Sequence, residues 1–246
     1  GTGVTTAGSG TVTLTAADAT AGVNDDVFVN DVVTSTSGQI TINAANEIET
    51  NALISSTSGA IDLNAATNVD QNANITSTSG VITVDATTAD ITMLTGTTTS
   101  TTGAGTIAYT AGTDVALSIL SGASTVNVTA GTVGVTGAIT DILATEAANI
   151  IATTATLNAI TGIGSADDIE TNITTLDATN TGATGNIQIN EIAAGGNIDV
   201  MDISQTNAGG NGTILLTTED GDITVLLAGT GVTTAGSGTV TLTAAD

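Results

Sequence analysis

The sequence predicts an all-β fold, a right-handed parallel β-helix (β-solenoid), and two observations carry this prediction. First, segments that begin at Gly38, Gly59 and Gly80 each follow a Ser-Thr-Ser turn and are spaced 21 residues apart. Self-similarity at a period of about 20 residues is typical of solenoid proteins. Second, apolar and polar residues alternate inside each segment, as expected for a strand with one buried face.

The 21-residue offset also places apolar residues of successive segments in line with one another. Such columns would fill a narrow tube, because each turn contributes the same inward positions as the turn before it. Connections between parallel strands of one sheet are right-handed in nearly all proteins, which gives the expected hand of the coil. The chain has no proline, a residue that interior strands exclude. The predicted columns are Ile40–Ile61–Ile82, Ile42–Leu63–Val84, Ile48–Val69 and Ile54–Ile75.

A second, much longer repeat joins the two ends of the sequence. Residues 1–18 are identical to residues 229–246, an offset of 228 residues. The identity includes positions that packing does not constrain, so we interpret 1–228 as one tandem unit and 229–246 as the start of the next copy. The alternative is a module duplicated within one domain. Residues 1–246 are then a single solenoid segment with about ten rungs per unit, and one unit spans roughly 48 Å along the axis.

Three stretches depart from the rung pattern. Residues 19–33 and the polar stretch 97–102 are interpreted as loops inserted between rungs. The segment 139–157 is rich in Ala, Leu and Ile and has the composition of a short helix. We nevertheless expect it to continue the solenoid, because three aliphatic residues in and just after it fit rung positions. These residues are Ile150, Leu157 and Ile160.

The composition excludes most kinds of chemistry. The chain contains no Lys, Arg, His or Cys, so it has no imidazole base, thiolate, Schiff-base amine or phosphate clamp. Nucleic-acid binding is excluded for the same reason. Carboxylate pairs such as Asp167 with Asp168, or Asp199 with Asp202, resemble those of glycosidases. The chain has only two aromatic residues to stack on a sugar ring, so we expect no enzyme. No apolar run is long enough to span a membrane.

The rung motif resembles a known family of secreted proteins. Residues 59–65 fit the pattern G-x-I-x-L-x-A and are followed by Val69 and by the segment 72–75, Asn-Ala-Asn-Ile. This pattern is similar to the repeats of filamentous-haemagglutinin-type large exoproteins. The resemblance implies a β-helical fibre, secreted and attached to the cell surface, that serves adhesion or matrix building. We therefore expect an extracellular or cell-surface filament or sheath of identical repeats joined end to end. The alternative is an adhesin stalk that binds a ligand through loops between the rungs.

Charge gives the last expectation, a role for Ca²⁺. The chain carries 24 acidic residues and no basic one. A rod of this composition has about one negative charge per 2 Å of its axis, close to the linear charge density of duplex DNA. Divalent ions that prefer oxygen ligands suit such a surface and would also bundle fibres laterally. The alternative is that these residues favour turns and keep the rod soluble. The candidate ligands are Asp25, Asp26 and Asp31; Asp167, Asp168 and Glu170; and Glu219, Asp220 and Asp222.

Overall fold

The computed structural model describes residues 3–17 and 25–245. In these residues the secondary structure is entirely β, with 28 strands and no helix. Every pairing between the strands is parallel. The protein is therefore a β-solenoid, as the sequence predicts. The hand of the coil and the 228-residue unit remain predictions.

In chain order the strands are β1 (Val4–Thr6), β2 (Val12–Ala16), β3 (Val27–Val29), β4 (Val33–Ser35), β5 (Ile40–Ala44), β6 (Ile48–Thr50), β7 (Ile54–Ser56), β8 (Ile61–Ala65), β9 (Val69–Gln71), β10 (Ile75–Ser77), β11 (Ile82–Ala86), β12 (Ile91–Met93), β13 (Thr98–Thr101), β14 (Ile107–Ala111), β15 (Val115–Leu117), β16 (Ile119–Gly122), β17 (Thr125–Ala130), β18 (Ile139–Asp141), β19 (Ile150–Ile151), β20 (Thr154–Ala159), β21 (Ile169–Asn172), β22 (Thr175–Asn180), β23 (Ile187–Glu191), β24 (Ile198–Gln205), β25 (Ile214–Thr218), β26 (Ile223–Val225), β27 (Gly231–Thr234) and β28 (Val240–Ala244).

The strands form three sheets, which run along the coil as three faces. Face A has eleven strands in the order β1-β4-β7-β10-β13-β16-β19-β21-β23-β25-β28. Face B contains β2-β5-β8-β11-β14-β17-β20-β22-β24-β26, with β27 also paired to β24. Face C has six strands in the order β18-β15-β12-β9-β6-β3. Through most of the coil, each turn takes one strand from each face in sequence.

The core is the set of inward columns that the 21-residue offset predicts. Ile40 lies beside Ile61, and Ile61 beside Ile82, and all three are fully buried. The other three predicted columns are also confirmed as register partners. Because alternate residues of a strand point to opposite sides, this register places every aliphatic side chain of a column inside the tube.

Near its C-terminal end the coil changes from three faces to two. Ile187 bridges to Ile163, which in turn bridges to Ile139 at the end of face C. The same strand, β23, continues along β21 of face A. Faces A and C thus merge at β23. On the opposite side, the eight-residue strand β24 is long enough to pair with both β26 and β27.

Two loops expected from the sequence are in part strands. Residues 98–101 form β13, which pairs with β10 and β16 of face A, so the loop prediction for 97–102 is wrong. Threonine is favoured in strands. Thr99 points inward, where its hydroxyl accepts a hydrogen bond from the buried Gln71 amide. Of the stretch 19–33, residues 19–24 lie outside the described residues. Residues 27–29 form β3, paired with β6.

The segment 139–157 is solenoid rather than helix, which confirms that prediction. It contains β18, β19 and the start of β20. Ile150 and Leu157 are fully buried, whereas Ile160, just beyond the segment, is only partly buried. The helical composition is overridden because a β-solenoid buries alternate positions, and Ala and Leu satisfy that pattern as well as they satisfy a helix.

Candidate metal centre

The connection between β18 and β19, residues 142–149, lies against the next turn of the coil. Asn149 is fully buried at its end. Its backbone N–H donates to the Glu170 carbonyl at 2.9 Å, and its side-chain oxygen accepts from the Glu170 N–H at 3.0 Å. The Asn149 amide also donates to the Ser118 carbonyl and to Asp141 Oδ1. These bonds fix the backbone of Glu170 to the end of the connection.

Glu170 occupies an unusual position in β21. Its neighbours Ile169 and Thr171 are fully buried, and strand alternation directs Glu170 to the opposite side of the sheet from them. Glu170 is nevertheless only 1 % exposed. Both of its carboxylate oxygens are buried, and neither has a hydrogen-bond partner. A buried carboxylate without partners costs free energy, so this side chain requires an explanation.

Two further carboxylates meet Glu170 at this point. Ligand oxygens of Glu146, Asp168 and Glu170 all lie within 4.8 Å of one another. Glu146 comes from the connection 142–149 and is exposed, Asp168 is half-buried, and Glu170 forms the buried end. We call these three residues the carboxylate triad. Within residues 3–17 and 25–245, no other set of three acidic side chains comes this close together.

The electrostatics of the triad reflect unbalanced negative charge. Burial raises the pKa of Glu170 to about 8, and the charges of Asp168, Asp141 and Glu146 act in the same direction. Burial also raises the pKa of Asp141, against the effect of hydrogen bonds from the Leu143 N–H and the Asn149 amide. No Lys, Arg or His exists in the sequence to offset these charges.

Two of the three residues predicted for this cluster come together, and one does not. Asp168 and Glu170 belong to the triad, whereas Asp167 is exposed and lies outside it. The charge of Asp167 contributes to the raised pKa of Asp141. Sequence reasoning missed Glu146. A signal was present, since Glu146 precedes Asp168 by 22 residues, about one turn of the coil.

Four residues of the other two predicted clusters accept hydrogen bonds, whereas Asp25 Oδ2 is buried without a hydrogen-bond partner. Asp26 Oδ1 accepts from the Asn46 amide at 2.6 Å, and Asp31 accepts from the N–H groups of Val32 and Gly3. Of the third cluster, Asp220 accepts from the Gly195 N–H at 2.7 Å.

Glu219 also accepts a hydrogen bond, from the Asn190 amide at 3.3 Å. These are the contacts of turn residues. Ca²⁺ binding by Asp25, Asp26 and Asp31, and by Glu219, Asp220 and Asp222, remains a prediction.

Comparison with protein-family models, curated proteins and solved structures gives no match to this chain. The likeness to filamentous-haemagglutinin-type repeats therefore rests on the rung motif alone. Across residues 3–17 and 25–245 no helix has the length and hydropathy needed to cross a lipid bilayer.

Proposed function

We propose that this chain is a structural, non-catalytic segment of a long extracellular or cell-surface filament in which identical units continue one solenoid end to end. The observation that carries the proposal concerns the repeated five-residue strand Val-Thr-Leu-Thr-Ala. As β2 it pairs with the strand that follows it, β5, and as β28 it pairs with the strand that precedes it, β25. One sequence therefore supports a parallel ladder on either edge.

The registers of the two ladders are compatible. Val12 and Leu14 align with Ile40 and Ile42 at one end of the chain. Val240 and Leu242, their copies, align with Ile214 and Leu216 at the other end.

The copies differ in exposure: Val12 is 4 % exposed and Val240 is 42 % exposed. A strand paired on both edges would join two units and cover the apolar side chains that β28 leaves open.

Further support comes from composition and from the rung motif. A tube of aliphatic columns whose carboxylates lie mostly at or near the surface suits a structural role, and the motif resembles secreted surface fibres. Divalent ions would neutralise neighbouring fibres and bundle them laterally. The ligand-binding alternative is less well supported, because residues 98–101 of one proposed loop form a strand and residues 27–29 of the other do as well.

A tandem chain tests the proposal, with a second copy of residues 19–246 placed directly after residue 246. Small-angle scattering and electron microscopy should show one straight rod, longer by about 48 Å with an unchanged cross-section. Unfolding should remain a single transition. Two compact bodies joined by a flexible junction would contradict the proposal.

A matched pair of variants at the junction sharpens the test. Val240→Lys places a charge in the inward column and should break the rod, because a buried unpaired charge is strongly unfavourable. Thr241→Lys adds the same charge at the neighbouring outward position and should leave the rod intact. Equal effects of the two substitutions would mean that the junction is not a continuation of the coil.

A further inference from the structure

We propose that the carboxylate triad, Glu146, Asp168 and Glu170, binds one divalent cation of the Ca²⁺ class and thereby fastens the connection 142–149 to the following turn. This inference concerns a site within a single chain, and it does not depend on the filament proposal. It also revises one ligand set expected from the sequence, because Glu146 takes the place of Asp167 beside Asp168 and Glu170.

Glu170 lacks a hydrogen-bond partner for its carboxylate. Both carboxylate oxygens are buried, and neither makes a hydrogen bond. Protonation alone would not satisfy this side chain, since a neutral carboxyl also needs an acceptor for its proton and a donor for its carbonyl oxygen. Because the sequence contains no cationic side chain, a cation that neutralises these three carboxylates would come from solution.

The spacing of the triad oxygens suits a Ca²⁺ ion. A Ca²⁺ ion binds oxygens at 2.3–2.6 Å, so it bridges oxygens up to about 5 Å apart. The ligand oxygens of the triad lie within 4.8 Å of one another, which satisfies this condition. Three protein ligands leave room for water in a shell of six to eight oxygens. The exposed side chain of Glu146 gives the ion and its water a route from solvent.

The backbone of Glu170 is held at the site, because it exchanges two hydrogen bonds with the fully buried Asn149. Asp168 lies two residues before it, immediately before β21 begins. Glu146 is the adjustable ligand, carried on the connection. An ion would therefore hold the connection against β21 and link two successive turns through its own bonds.

Calorimetric titration of the full 246-residue chain tests the inference. Protein stripped with chelator is titrated with CaCl₂ in about 0.1 M NaCl, which screens weak binding along the rod. We expect one saturable site per chain, and the same titration with MgCl₂ should show at least tenfold weaker binding. A titration with no component at a stoichiometry of one would overturn the proposal.

Three variants assign the site. Glu170→Gln and Glu146→Gln should each weaken the saturable component at least tenfold. Asp114→Asn, at an exposed carboxylate outside the triad and outside the other predicted clusters, should leave it unchanged. Because Glu146 is exposed, its variant keeps the test valid even if Glu170→Gln folds poorly. Equal binding by Glu146→Gln and Asp114→Asn would refute the assignment.

A structural readout completes the test. Amide hydrogen exchange of residues 142–149 should slow on addition of CaCl₂ in the natural chain and should not change in Glu146→Gln. Exchange that slows equally in both proteins would mean that Ca²⁺ acts through the charge of the whole rod. Failure of this experiment leaves the filament proposal untouched, since the tandem chain is judged by its shape.

Discussion

The hydroxyl of Tyr109 donates a hydrogen bond to Gln71 Oε1 at 2.5 Å inside the coil, although the two residues are 38 positions apart. Thr99 completes the contact, with its hydroxyl 2.6 Å from Tyr109 Oη and 2.9 Å from Gln71 Nε2. Tyr109 belongs to face B, Gln71 to face C and Thr99 to face A. One polar side chain from each face thus meets at the centre of the tube.

Replacing Tyr109 with Phe should destabilise the protein by about 1–3 kcal/mol, because it leaves buried polar groups with fewer partners. Gln71→Leu should cost a similar amount. The double variant should cost less than the sum of the two, since it removes both ends of one hydrogen bond. Urea unfolding of all four proteins measures this coupling. Strictly additive changes in the free energy of unfolding would show that this hydrogen bond does not couple the faces of the coil.

The burial of Tyr109 can also be tested by spectroscopy. Burial raises the pKa of the Tyr109 hydroxyl above its ordinary value, against the opposing effect of the hydrogen bond from Thr99. Tyr109 is the only tyrosine in the chain, so absorbance near 295 nm reports on it alone. The folded protein should show no phenolate as the pH passes about 10, whereas the urea-unfolded chain should titrate there. Reversible titration near pH 10 without unfolding would contradict the buried position.

Gly59 should tolerate no side chain. A Cβ atom at Gly59 would lie 2.0 Å from the carbonyl oxygen of Gly38, one turn below. Since both groups are backbone within a stacked column, Gly59→Ala should destabilise the protein by about 3 kcal/mol or more. Gly209→Ala is the control, because its Cβ would have only Asn207 Oδ1 nearby, at 3.5 Å. Urea midpoints distinguish them, and equal midpoints would mean that these turns do not stack closely.

The protein should be most stable in mildly acidic solution. Burial raises the pKa of five described carboxyl groups above their ordinary values. For Glu170, with an ordinary pKa of 4.5 and a folded value of about 8, the stabilising contribution is complete below pH 4.5 and is lost as the pH rises through about 8. The charges of Asp168, Asp141 and Glu146 raise the pKa of Glu170 further, so they strengthen this dependence of stability on pH. The five are Glu47, Asp141, Glu170, Asp177 and Glu191.

Thermal unfolding followed by circular dichroism, in buffers free of divalent ions, checks this prediction. The melting temperature should rise as the pH falls from 8 to 5. Glu170→Gln should show a shallower dependence than the natural chain. A melting temperature that falls steadily over the same range would contradict the raised pKa values.

The columns of the core were predictable from sequence because they depend on two local rules. Alternation identifies the inward face of each strand, and the 21-residue spacing then fixes which residues stack, as for Ile40, Ile61 and Ile82. The inward position of Thr99 could not be predicted from these two rules. A threonine in a run of threonines gives no local sign that it faces inward, because its reason for doing so, Gln71 and Tyr109, lies on the other two faces.

Two of the three triad residues were predicted from the sequence, Asp168 and Glu170, because they are close together in the chain. Glu146 precedes Asp168 by about one turn, but it lies in an irregular connection, where the alternation that marks the rungs gives no sign of which way a side chain points. The face on which a strand lies is also not fixed by its local sequence, as the repeated Val-Thr-Leu-Thr-Ala strand shows. It belongs to face B as β2 and to face A as β28, so a local sequence does not determine its face.

Cysteine cross-linking measures the stacking of successive turns most directly, because the natural chain contains no cysteine. Thr41 and Asp62 are register partners in adjacent turns, and Thr83 follows Asp62 one turn later. Parallel neighbours lie about 4.8 Å apart and residues two turns apart about 9.6 Å, whereas a disulfide needs Cα atoms closer than about 7 Å. Mild oxidation of the folded protein should close the disulfide in the Thr41→Cys/Asp62→Cys chain and leave the Thr41→Cys/Thr83→Cys chain reduced. A first pair that stays reduced, or a second pair that closes as readily, would contradict a coil in which each turn lies directly on the one before it.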